Sequence, residues 1–97
     1  MIIRGFVWDE VNVDKLKVHD LEPSEVEWLF EYGDSEILRH PDKKNRWVGL
    51  GFVPDERFVL VPFEYDAKTR WVRVVTAYEP TNDRWWKTYA KSKNLKG

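Results

Sequence analysis

The sequence predicts an α+β domain: an antiparallel β-sheet of about five strands with two N-terminal helices and one C-terminal helix, in the order β-α-α-β-β-β-β-α. Three observations predict it. Two helical segments with start signals and apolar stripes occupy the first third of the chain. Runs of β-branched and aromatic residues, separated by short turn signals, fill the stretch from Ser35 to Pro80. A last segment places Trp85, Trp86, Tyr89 and Ala90 at helical spacing. The short connections give a meander with helices on one face of the sheet and the other face open.

Ile2 to Trp8 alternates loosely and carries β formers, so it is the first strand. Asp9 follows as the N-cap of a helix from about Glu10 to His19, with Val13 and Leu16 inward and Asn12, Lys15 and His19 along a neighbouring stripe. The second helix starts at Pro23. Glu25 lies in its first turn, Leu21 and Val26 hold the two positions of a hydrophobic staple, and Val26, Leu29 and Phe30 form its buried stripe. Trp28 and Tyr32 pair at i, i+4, and Gly33 is expected to end the helix in the left-handed conformation. Strands are expected at Ser35 to His40, Arg46 to Val53 and Arg57 to Asp66. In the second of these, Gly49 and Gly51 share a face and leave room for a helix, a bulge or a ligand. In the third, Pro62 signals an edge or a bulge.

The longest strand runs from Arg70 to Pro80. Strict alternation places Trp71, Arg73, Val75 and Ala77 on one face and Val72, Val74, Thr76 and Tyr78 on the other, so Arg73 is a charge held against an apolar surface. Thr81 reads as the N-cap of the last helix, to about Lys93, and Asn94 to Gly97 as a basic frayed tail.

The 97 residues form a single domain, 1–97, which buries roughly 60–70% of its extended surface on folding. Six Trp, four Tyr and five Phe supply a core with rings to spare for a partner. Cys is absent, which excludes disulfides and thiolate metal sites. The opening residues lack the apolar core of a signal peptide and no run is long enough to span a bilayer, so a soluble, cytoplasmic protein with no membrane partner is expected. Net charge is −1, but unevenly spread: residues 1 to 38 carry ten acids against three bases, net −7, and residues 39 to 97 carry thirteen bases against seven acids, net +6. This asymmetry is compatible with one polyanion-facing side and equally with ordinary solvated faces.

Trp8-Asp9-Glu10, Asn12, His19, Pro23 with Glu25-Val26-Glu27, Arg46-Trp47, Gly51, Arg57 and Arg73-Val74-Val75-Thr76-Ala77, in that order, resemble the BrnT family of toxins from about Phe6 to Tyr89. The resemblance implies a RelE-like fold, a bacterial type II toxin-antitoxin pair, ribonuclease activity and a BrnA-like antitoxin as partner. The chain departs from the family pattern at Val18, where a lysine usually precedes the histidine, and at Tyr78, where an arginine usually follows the alanine. Hence a second reading stands beside the first: a non-catalytic protein-binding module of the same fold. Self-association is left open.

Metal-independent RNA cleavage needs a base, an acid and cations for the charge that builds on phosphorus. His19 is the candidate acid or base, against a histidine favoured simply by the helix dipole at a C-terminus. Arg73 and Arg46 are candidate phosphate clamps and Arg57 a supporting cation, against ion pairs of Arg73 with Glu64, Glu79 or an acid of the second helix. Lys15 is a candidate substrate contact, against local pairing with helix acids. Tyr78 and Tyr89 could stack a base, against plain aromatic packing. Of Trp85 and Trp86, one is expected in the core and the other as an anchor for a protein partner. No spacing suits a metal or an organic cofactor, so none is expected.

Overall fold

The computed structural model describes residues 1–94, so the tail expected at Asn94 to Gly97 lies outside the described residues beyond Asn94. The elements are β1 (Gly5–Val7), α1 (Glu10–Val18), α2 (Pro23–Tyr32), β2 (Glu36–Arg39), β3 (Trp47–Phe52), β4 (Phe58–Asp66), β5 (Trp71–Val74) and α3 (Arg84–Ser92), the expected order with shorter ends. No helix among the described residues is long and apolar enough to cross a membrane.

The local signals act as read at the two N-terminal helices. Asp9 caps α1 through its Oδ1, which accepts the Asn12 N–H at 2.8 Å. At α2 the Glu25 carboxylate accepts the Glu22 N–H at 3.0 Å, and Leu21 and Val26 of the staple are 2% and 0% exposed. Leu16, Val26 and Leu29 are fully buried, each stabilising the fold by roughly 1.5–3 kcal/mol. Gly33 does not adopt the expected left-handed conformation: its φ is −84°, and Asp34 takes the positive φ of 53° instead. Glycine is needed at 33 because a Cβ would collide with the Phe52 carbonyl oxygen, where the chain runs against β3 and the Phe52 N–H donates to Gly33 at 3.0 Å.

The sheet is mixed, not purely antiparallel. Its strand order is β1-β5-β4-β3-β2, with β1 parallel to β5 and the other pairs antiparallel. A strand followed by two helices cannot close a hairpin, so β1 joins the last strand at the edge. On one face α1 and α2 bury Leu16, Leu21, Val26, Leu29, Val61, Phe63, Val72 and Val74. Gly49 and Gly51 make space for a helix: a Cβ on Gly49 would meet the Phe30 ring at 2.9 Å, and one on Gly51 the Leu29 side chain at 3.2 Å.

The long strand is interrupted. Phe63 pairs with Val74 and Leu60 with Tyr78, so three residues of the later segment (75–77) oppose two of β4 (61–62), a β-bulge. Pro62 explains its position. Its carbonyl accepts the Val75 N–H at 2.9 Å, and in an extended strand the N–H and C=O of one residue point the same way, so the donor that proline lacks is missing on the side of the bulge. The bulge shifts alternation by one: Ala77 joins Val72 and Val74 in the helix-covered core, and Tyr78 moves to the other face, against the strict alternation expected from sequence. The Asn12 amide, nearly buried, donates to the Val75 carbonyl at 3.2 Å and ties α1 to the bulge.

The second face is not open along its whole length. α3 lies on it over β3 and β4, where Tyr89 packs with Val48, Leu50 and Leu60. The helix begins at Arg84 rather than just after Thr81, and the Asn82 Oδ1 accepts the Arg84 N–H. Trp85 is half-buried against this second core, whereas Trp86 keeps 37% exposure while packing edge-on to Phe58 at 5.1 Å. The Lys93 ammonium holds the end of α3 to Asp34 at 3.1 Å and Glu36 at 3.6 Å. What stays uncovered is the other end of this face, where β1, β5 and β4 meet.

Candidate nucleic-acid interface

Register determines which charges share that uncovered end. Glu64 and Arg73 are directly opposed across β4 and β5, and Val7 of β1 follows Arg73 in the same row. On the other side of β4, Trp47 opposes Phe63, and the His40 N–H bond to the Arg46 carbonyl carries the β2–β3 ladder one residue further. Continuing that register places Arg46 opposite Glu64, on the face away from Trp47 and α2. Three strands thus present Arg46, Glu64 and Arg73 in one row, with the two arginine backbones about 10 Å apart at ordinary strand spacing.

Beside Glu64 and Arg73 lies a shallow hollow of about 960 Å³ lined by Val7, Glu64, Asp66, Lys68, Trp71 and Arg73, among others; Arg46 does not line it. Asp66 is committed to the β4–β5 turn, its Oδ1 accepting the N–H groups of Lys68 at 2.8 Å and Thr69 at 3.3 Å. Arg73 is 52% exposed at its side chain and pairs with Asp9, Nη1 to Oδ2 at 3.2 Å, rather than with Glu64, Glu79 or an α2 acid. Glu64 has no ion pair within 4.0 Å among the described residues. The Arg46 Nε is buried and lacks a hydrogen-bond partner, a donor with one bond left to make.

The other expected residues lie elsewhere. His19 is the C-cap of α1, exposed, its ring 5.7 Å from that of Tyr78. Asp9 and His19 bracket the nine residues of α1, which separates the His19 end from the Arg73 end by about 14 Å. The sheet agrees, since Tyr78 opposes Leu60, four residues or about 13 Å along β4 from Glu64. Arg57 is at the His19 end and is neutralised there. Its Nε donates to both Asp55 carboxylate oxygens at 2.9 and 2.8 Å, Nη2 reaches Glu25 at 3.4 Å and Nη1 the His19 carbonyl at 3.4 Å. The hydrogen bond from Arg57 holds the Asp55 carboxyl below its usual pKa, and the same bond raises that of Arg57. Lys15 is exposed on α1, across the sheet from the hollow, while Lys17 makes the local pair with Asp14 at 3.9 Å.

Tyr89 is not available to a substrate. It is 1% exposed, its hydroxyl donates to the Asp34 carbonyl at 2.7 Å, and burial beside the Asp34 carboxylate pushes its pKa up to about 12. The structure therefore sets Arg73 beside Glu64 at the hollow, places Arg46 one strand further along by continued register, and leaves His19, Arg57, Lys15, Tyr78 and Tyr89 elsewhere. Of the residues that line the hollow only Arg73 is a site candidate from sequence; Glu64 enters there as an ion-pair partner and Trp71 as a strand residue. Alternation along β5 gave the face of Trp71, but only the tertiary pairing shows that Glu64 and Trp71 adjoin Arg73.

No protein-family model matches the chain, and no curated protein matches it either.

Proposed function

We propose that this protein is a BrnT-like toxin of a bacterial type II toxin-antitoxin pair, a metal-independent endoribonuclease of the cytoplasm held in check by a BrnA-like antitoxin. The single observation that carries the reading is Arg73 opposed to the unpaired Glu64 on the uncovered end of the sheet, with Arg46 brought into the same row by continuing the β3–β4 register. Two guanidinium groups on either side of one unpaired carboxylate are the parts that cleavage beside a 2′-hydroxyl requires. Glu64 takes the 2′-hydroxyl proton, the 2′-oxygen attacks phosphorus, and the 5′-oxygen leaves and takes a proton from water. Arg46 and Arg73 bind the non-bridging oxygens, where a planar fork of donors matches the phosphate. His19, about 14 Å off along α1, takes no part in that step in this arrangement.

The test is cleavage of single-stranded RNA by purified protein in excess chelator. Wild type cuts; Glu64→Gln and Arg73→Ala each lose roughly 100-fold or more while keeping the fold. Undiminished cleavage by both variants rules this site out. The non-catalytic reading is favoured by one observation, the ring pair Trp28–Tyr32, which stands exposed on α2 with centroids 5.8 Å apart and suits a protein contact. A wild-type protein that neither cuts RNA nor arrests growth leaves that reading in place.

A further inference from the structure

Trp71 is a large apolar side chain on a strand, and it is 44% exposed. Its register partner across the parallel β1–β5 pair is Gly5. A Cβ on Gly5 would meet three atoms of the six-membered ring of Trp71, two at 2.9 Å and one at 3.0 Å, so the indole rests on the bare backbone of β1. Only glycine allows that approach. The ring packs on β1, and its exposed part borders the hollow that also contains Arg73 and Glu64, with Lys68 on the adjoining turn. Trp71 and Arg73 are two residues apart on one face of β5, roughly 7 Å along the strand.

An aromatic platform beside a phosphate-binding cation is the arrangement that holds a single strand: the base stacks on the ring while its backbone meets the charge. We infer that Trp71, seated on Gly5, is a base-stacking subsite next to Arg73, and that the hollow takes single-stranded RNA with an unpaired base on the indole. A duplex, whose bases are stacked within the helix, is excluded. This rests on the RNA reading of the same face, but it concerns binding and not bond cleavage, so the two fail separately.

The experiment measures fluorescence anisotropy of a labelled ten-nucleotide 2′-O-methyl oligouridylate, which cannot be cleaved, against two competitors. One is an abasic backbone of the same length and the other a duplex. The single strand is expected to bind at least tenfold more tightly than either. Trp71→Ala should lose about 5- to 100-fold in affinity for the single strand and little for the abasic backbone, and Trp71→Phe should retain most of the affinity. Gly5→Val, which keeps Trp71 in the chain and displaces its ring, should resemble Trp71→Ala. Binding should also quench tryptophan emission in the wild type more than in Trp71→Phe.

Equal affinity for the abasic strand, or single-strand binding unchanged in folded Trp71→Phe and Trp71→Ala, overturns the stacking subsite even if the RNA is cut. The expected binding pattern in a protein that fails to cut leaves the subsite standing and removes the nuclease reading. Loss of antitoxin binding in folded Trp71→Ala, with single-strand binding intact in that variant, assigns the ring to a protein contact and likewise overturns it.

Discussion

Arg73 stands directly opposite Glu64 across β4 and β5, yet its guanidinium turns to Asp9, at 3.2 Å, and leaves the Glu64 carboxylate without an ion pair among the described residues. Asp9 is the N-cap of α1, so the same side chain that starts the helix also positions Arg73. In the proposed reading Asp9 competes with a phosphate for Arg73, and Glu64 remains free to accept a proton.

Asp9→Asn separates these roles. Asparagine caps a helix about as well as aspartate, so stability should change by less than about 1 kcal/mol. Removing the competing anion should raise affinity for an RNA oligonucleotide by about two- to fivefold, as is usual for a single exposed ion pair. Filter binding with a thermal melt alongside checks both halves.

Arg57→Ala should act on stability alone. It removes the hydrogen bonds to Asp55, Glu25 and the His19 carbonyl from a side chain that is 21% exposed, so a loss of about 1–2 kcal/mol is expected with RNA cleavage unchanged. The folded pKa of Asp55 is lowered, so its contribution is present above the unfolded value of 3.8 and fades as pH falls through the folded one. The stability gap between wild type and Arg57→Ala should therefore be constant from pH 5 to 8 and narrow below roughly pH 4 in urea titrations.

Asn12→Ala should cost roughly 1–3 kcal/mol, because it strands the Val75 carbonyl where the bulge leaves it unpaired and opens space beside α1. The effect should exceed that of Val18→Ala on the same helix, where the side chain is 79% exposed. Denaturant midpoints of the two variants provide the comparison.

Tyr89 gives a signature at high pH. Its pKa is raised to about 12 from 10.0, so the stability it contributes is complete below pH 10 and lost as pH rises through about 12. Tyr89→Phe should be less stable by about 1 kcal/mol at pH 8, from loss of the bond to Asp34, and should decline less steeply between pH 10 and 12. Circular dichroism melts across that range test the difference.

The chain by itself determined its elements. Asp9 and Asn12 mark one helix start and Leu21 to Val26 another, because caps and staples act within a few residues of each other, while Gly49 with Gly51 mark space for a helix, a bulge or a ligand. Only the tertiary structure decided that β1 lies parallel to β5, that α3 packs on the second face over β3 and β4, and that a bulge opposite Pro62 turns Tyr78 away from Val74. The same holds for the interface. Glu64 and Arg73 are separated along the chain and become neighbours through strand pairing, with Arg46 brought into line by the continued register, while Arg57, equally promising by residue type, is drawn to Asp55 and Glu25. Residue type limits what a side chain can bind, but register and burial, set by long-range pairing, choose its neighbours.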